Sequence, residues 1–164
     1  MLTLTKKTSY ALIALSHLAR CERDTASSRE IAEHYSLPPA LLTNVLKLLA
    51  KNGFVQSLRG SKGGYRLAIT PSRVSLSALI SAIDGPVRLV ECALEGTAPD
   101  RPASACRVEN RCPVRGAVLR VNRKLLELLE EVTLGDVLLA RPPLKGQPEP
   151  AAAPREANVG VTEV

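Results

Sequence analysis

Three cysteines, Cys92, Cys106 and Cys112, fall within 21 residues of one another in a C-x13-C-x5-C spacing. Thiolates are soft ligands and nucleophiles, so such a group points to metal or redox chemistry. Structural zinc sites are usually built from C-x2–4-C pairs, and there is none here. Spacing alone leaves zinc, an iron–sulfur cluster and free thiols open. The fourth cysteine, Cys21, is remote in sequence. A thiol enzyme would need an activated cysteine beside a base. Neither His17 nor His34 is near the cysteine run, and no phosphate loop or carboxylate pair is evident, so an enzyme is not expected.

The second chemistry is electrostatic. Residues 1–90 hold 12 Lys/Arg against 5 Asp/Glu, and residues 91–164 hold 10 against 11. The net charge of +6 is therefore carried wholly by the first half. That is the footprint of a polyanion-binding module joined to a neutral one. No apolar run approaches the ~18 residues of a membrane span, and the N-terminus has no secretory pattern. The expected setting is the cytoplasm, without a membrane partner, where a disulfide framework is not expected.

The elements that position these groups can be read from periodicity and punctuation. The chain is 164 residues long and 45% hydrophobic, with no Trp and one Phe. Its core must be Leu, Val, Ile and Ala, which favours helices. A first helix runs from Lys6 to Arg20, with Thr5 as N-cap. Ser27 to Glu30 forms a capping box ahead of a short second helix, which ends before Pro38 and Pro39. A third helix follows to about Asn52, closed by Gly53. The runs Phe54–Leu58 and Tyr65–Ile69 read as a β-hairpin, and Arg59-Gly60-Ser61-Lys62-Gly63-Gly64 as its basic tip. Leu76, Leu79, Ile80 and Ile83 mark a fourth helix that Asp84-Gly85-Pro86 stops. Residues 91–112 are too long for an ordinary connection.

Two helices, a tight turn and a basic hairpin make a winged helix-turn-helix. The fold class is mainly α, with a long dimerisation helix behind the DNA-binding unit. On the third helix Leu42, Val45, Leu46 and Leu49 face the core, leaving Ala40, Thr43, Asn44, Lys47 and Lys51 opposite. Small and amide side chains near a helix N-terminus can enter a major groove, and Lys47 and Lys51 suit phosphates. Arg59, Ser61 and Lys62 bring the wing to the groove edge, with Gly60, Gly63 and Gly64 allowing close approach. The partner is double-stranded DNA.

The long helix runs from Pro113 to about Val132. Val114, Val118, Val121, Leu125, Leu128 and Val132 step by 4, 3, 4, 3, 4, an a/d seam that predicts a homodimer. Leu119, Leu126 and Leu129 widen the face, so burial on more than one side is expected. Thr133 to Asp136 opens a last short helix with another capping box. The division is 1–90 for the DNA-binding unit, 91–112 for the cysteine loop, 113–140 for the dimer and terminal helices, and 141–164 for a Pro-rich disordered tail.

The string Val45-Leu46-Lys47-Leu48-Leu49-Ala50-Lys51-Asn52-Gly53, followed by Arg59-Gly60-Ser61-Lys62-Gly63-Gly64-Tyr65, resembles the IscR/NsrR/RirA-type (Rrf2) family of bacterial winged-helix regulators. Ile83-Asp84-Gly85-Pro86, the three cysteines and Cys112-Pro113-Val114-Arg115-Gly116 resemble the branch that regulates SUF iron–sulfur assembly genes. The resemblance covers residues 1 to about 140. It implies a dimeric transcription factor, mostly a repressor in this family, on an imperfect palindromic operator. It also implies a [2Fe-2S] or [4Fe-4S] cluster held by Cys92, Cys106 and Cys112, sensing iron–sulfur status, O2, NO or redox stress. The same fold sensing redox through thiols, or carrying zinc, is the alternative. The fourth ligand departs from the pattern. Arg115 stands where some members have His, and Ser9 where others have Asp from the partner's first helix. Ser9, His17, Cys21, Glu91 or a small exogenous molecule are the candidates.

Overall fold

The computed structural model describes residues 4–21, 24–60, 63–93, 106, 108 and 111–139. The expected tail lies outside them, as do Ser61, Lys62 and most of the connection between Cys92 and Cys112. The order is α1 (Lys6–Ala19), α2 (Ser28–His34), α3 (Pro39–Lys51), β1 (Val55–Leu58), β2 (Gly64–Leu67), α4 (Leu76–Asp84), α5 (Arg115–Glu131) and α6 (Leu134–Leu138).

The expected punctuation is present. Thr5 caps α1, its hydroxyl accepting from the Thr8 N–H at 3.3 Å. The Ser27/Glu30 and Thr133/Asp136 capping boxes are both closed. Pro39 occupies the first turn of α3, and Gly53 ends it at φ +77°, a backbone that only glycine adopts freely. Boundaries shift by a residue or two: Asn52 is the cap of α3 rather than its last turn, and α5 begins at Arg115 rather than Pro113.

The core is aliphatic, as the composition requires. Leu15 of α1, Ile31 of α2, Leu42, Leu46 and Leu49 of α3, Leu79 of α4 and Leu134 of α6 are fully buried together. The presence of α6 in this cluster means that the chain beyond α5 returns to the unit formed by α1–α4. The Leu76 N–H donates to the Val132 carbonyl and the Leu134 N–H to the Val74 carbonyl, both at 2.8 Å. From α1, Ser16 Oγ and Arg20 Nη2 donate to the Leu138 carbonyl, at 3.2 and 2.9 Å. At the other end of α1, Thr5 Oγ1 donates to both Asp84 oxygens at 2.8 Å, and the fully buried Thr8 hydroxyl donates to the same carboxylate.

β1 and β2 pair antiparallel, with Gln56 opposite Arg66. The hairpin is fastened to the chain entering α2 by reciprocal bonds between Ala26 and Tyr65, at 3.0 and 2.8 Å. The glycines divide their work differently from the sequence expectation. Gly60 has φ +119°, but Gly63 and Gly64 are needed for packing inside the chain. A Cβ on Gly64 would lie 2.7 Å from the Ala26 carbonyl oxygen.

α1 and α2 also meet through rings. His17 lies 5.4 Å from His34 and 5.7 Å from Tyr35, and His34 lies 4.6 Å from Tyr35, all edge-on. Burial, then the neighbouring His34, hold the His17 pKa below the usual histidine value; Glu30 opposes them.

Gly64→Ala should lower stability by about 1–3 kcal/mol, because backbone rather than a flexible side chain must move. Gly116→Ala, whose Cβ meets nothing closer than 3.8 Å, should be neutral or stabilising. Urea unfolding of the two variants checks this. The lowered His17 pKa means that the unfolded chain takes up the proton first. The stability tied to the neutral ring is therefore complete above about pH 6.5 and is lost as pH falls below it. His17→Gln should flatten that acid loss, measured as the difference in unfolding midpoint between pH 7.5 and lower pH.

Candidate functional site

The candidate reading face is set by α3. Leu42, Val45, Leu46 and Leu49 are at most 2% exposed, which fixes the helix rotation. Ala40, Asn44, Lys47 and Lys51 stand exposed on the other side, while Thr43 is half-buried at the edge. No acidic residue occurs in the helix, so nothing on it repels a phosphate backbone. Arg59 is exposed just past β1. Beside it is a cation the sequence reading missed. Arg66 Nε and Nη2 both donate to Gln56 Oε1, at 2.9 and 2.7 Å, on the outer face of the wing. The signal was the hairpin register, which places positions 56 and 66 opposite one another.

The three cysteines of the run are free and half-buried. Cys92 sits in a short 3-10 turn, Glu91–Ala93, that packs against α5. Cys112 lies at the mouth of α5, its carbonyl accepting from the Arg115 N–H at 3.4 Å. In kind, uncrosslinked thiols fit the demand of an iron–sulfur cluster. Among the described residues, however, no three His, Cys, Asp or Glu side chains gather where they could hold a metal ion.

Three of the candidate fourth ligands are engaged locally. Ser9 Oγ donates to the Thr5 carbonyl at 3.0 Å. His17 is packed edge-on in the ring cluster. Cys21 Sγ is 3.4 Å from the Thr25 carbonyl oxygen and packs on the core.

The seam on α5 is split. Val114, Val121 and Leu128, seven residues apart, are 57%, 58% and 56% exposed. Val118, Leu125 and Val132 are half-buried, as are Leu119, Leu126 and Leu129. The expected burial on more than one side is not met within one chain, because these side chains turn only one flank toward α4. The one buried side chain of α5 is Asn122, which periodicity did not single out. A cavity of about 660 Å³ lies between the start of α1, α4, residues 85–89 and α5, lined by Leu76, Ile80, Leu125 and Leu129 with Asp84 and Arg88. No helix among the described residues is long and apolar enough to cross a membrane.

Comparison with known proteins agrees with this architecture. Residues 4–140 match the Rrf2 family, described as iron-dependent transcriptional regulators. An Rrf2-like HTH-type regulator of Rhodobacter capsulatus is 36% identical over 144 residues, covering 85% of this chain and 95% of the relative. The regulator NsrR of Halalkalibacterium halodurans is 31% identical over 136 residues, covering 82% and 89%. Among solved structures, T. potens IscR superposes with a TM-score of 0.61 at 25% identity, covering 84% of this chain and 87% of that one. CymR, the global cysteine regulator of B. subtilis, does so with a TM-score of 0.63 at 24% identity, covering 85% and 98%. The chain belongs to the Rrf2 family and is a winged-helix, DNA-binding transcriptional regulator rather than an enzyme.

Proposed function

We propose that the protein is a homodimeric cytoplasmic repressor whose grip on a palindromic operator is set by an iron–sulfur cluster on Cys92, Cys106 and Cys112. Genes for iron–sulfur assembly are the expected targets. The observation that carries this reading is the place of the cysteine connection. It begins on a turn packed against α5 and ends at Cys112, just before α5 starts at Arg115. When bound, such a cluster supplies an iron centre whose state changes with O2, NO or redox potential. The chain's own residues do the rest. Ala40, Thr43 and Asn44 present small and amide groups to a major groove. Lys47, Lys51, Arg59 and the tip residues Ser61 and Lys62 hold phosphates and the groove edge. Val114, Val121 and Leu128 meet a second copy, flanked by Val118, Leu125 and Val132, which removes a row of large apolar side chains from water.

A second reading, thiol-based sensing or zinc on the same fold, draws on the three free thiols. Anaerobic purification with iron, sulfide and zinc analysis separates the two. The cluster reading expects visible absorbance that is lost in Cys106→Ala, and unequal operator affinity for loaded and metal-free protein. A colourless, iron-free protein with one affinity in all states would overturn it.

The DNA face has its own test. Lys47→Ala should weaken binding to operator and random DNA alike and make the slope of log K against log[salt] shallower by roughly one unit. Footprints should show two half-sites about one helical turn apart, as a two-fold dimer demands. An unchanged slope would count against a phosphate contact at Lys47, and a single half-site would count against the dimer.

A further inference from the structure

We infer that Asn122 is a positioning residue that ties Cys92 to the dimer helix. This rests on the proposed sensing role of Cys92 and adds the link by which a change at that thiol reaches α5. Asn122 is 6% exposed, the one buried side chain on a helix whose neighbours are mostly aliphatic or charged. A buried amide needs hydrogen-bond partners, and packing alone would be served as well by leucine. Its Oδ1 accepts from the Leu89 backbone N–H at 2.8 Å.

Leu89 lies in the irregular stretch between α4 and the turn that carries Cys92. Gly85, at φ +86°, turns the chain out of α4. The next tether toward the cysteine is this hydrogen bond, three residues before Cys92 in sequence. Three residues span at most about 10 Å, so a displacement of the Cys92 backbone arrives at Leu89 with little slack. Around the cavity this stretch faces Leu125 and Leu129, aliphatic side chains that make no directional bond. A hydrogen bond is directional: it weakens steeply with angle and length. Among the described residues the bond from Leu89 to Asn122 is therefore a directional part of the contact between the cysteine segment and α5. Breaking it leaves a desolvated amide on α5, which is a reason for the helix to shift rather than stay in place.

The test uses full-length protein in two states. In reduced, metal-free protein, maleimide labelling mapped by mass spectrometry should proceed about fivefold faster at Cys92 in Asn122→Leu, as expected for loss of one hydrogen bond. Labelling at Cys21 should not change. Asn122→Asp keeps an acceptor of the same length and should label like the parent. In anaerobically loaded protein, Asn122→Leu should keep its visible absorbance but bring the ratio of operator affinities between loaded and metal-free forms toward one. If the leucine variant does not fold, Asn122→Ala replaces it. Unchanged Cys92 labelling, or labelling raised equally at Cys21, would overturn the inference, as would an unchanged affinity ratio. A colourless parent protein would remove the cluster reading and still leave the Cys92 labelling to decide this one.

Discussion

The arrangement depends on the seating of α6 in the DNA-binding core. Leu134 and Leu138 are buried with Leu15, Leu46 and Leu49, and each such leucine contributes roughly 1.5–3 kcal/mol by leaving water. Around Thr133 the chain is pinned by two 2.8 Å backbone bonds to residues flanking Ser75, and the last carbonyl of α6 is held from α1 by Ser16 and Arg20. α5 buries one side chain, so most of its direction comes from what it packs on and where it leads rather than from its own stability. α4 lies along one flank, and the C-terminal end runs into α6, which sits in the core that also sets the rotation of α3.

The other end of α5 is held differently. The segment leading to Cys92 leaves α4 at Gly85 and is fixed by hydrogen bonds rather than by a shared core. The Asp84 carboxylate is gripped by Thr5 and Thr8, and the Leu89 N–H by Asn122. Packing is thus uneven among the described residues: α3 and α6 share the aliphatic core, and the segment leading to Cys92 lies outside it. Regions that respond to a signal are drawn from the low-stability end of a structure, since a signal worth a few kcal/mol cannot reorganise a packed core. The reading face can keep its geometry while the cysteine segment changes.

The parts of this design that follow local rules were legible in the sequence. Capping boxes at Ser27 and Thr133, the proline start of α3, the glycine ends at Gly53 and Gly85 and the rotation of α3 all follow from one turn of chain at a time. The reading failed where two distant segments meet. Gly64 looks like a wing glycine made for DNA, but its closeness to Ala26 is a tertiary contact. Asn122 looks like an ordinary polar interruption, because its partner is a backbone N–H 33 residues away. The seam on α5 was visible as a pattern; how it divides between α4 and open solvent was not, since periodicity gives the width of a face and not what covers it.

That division carries the last step. A face wide enough to include both Leu129 and Val121 cannot be covered by α4 alone. α4 takes the flank with Leu125 and Leu129 and leaves Val114, Val121 and Leu128 in water. In the proposed dimer a second α5 covers that row, so each α5 lies between its own α4 and its copy, with Asn122 on the α4 side. A shift of the cysteine segment then acts on a helix that is part of the contact between two reading heads. Because each α5 packs on its own α4 and runs into an α6 buried in the core of its head, a change in how the two helices cross in the proposed dimer would be carried to the spacing of the two α3 helices. That spacing is what a two-fold operator measures. The hydrogen bond from the Leu89 N–H to Asn122 joins the cysteine segment to the helix on which that spacing would turn.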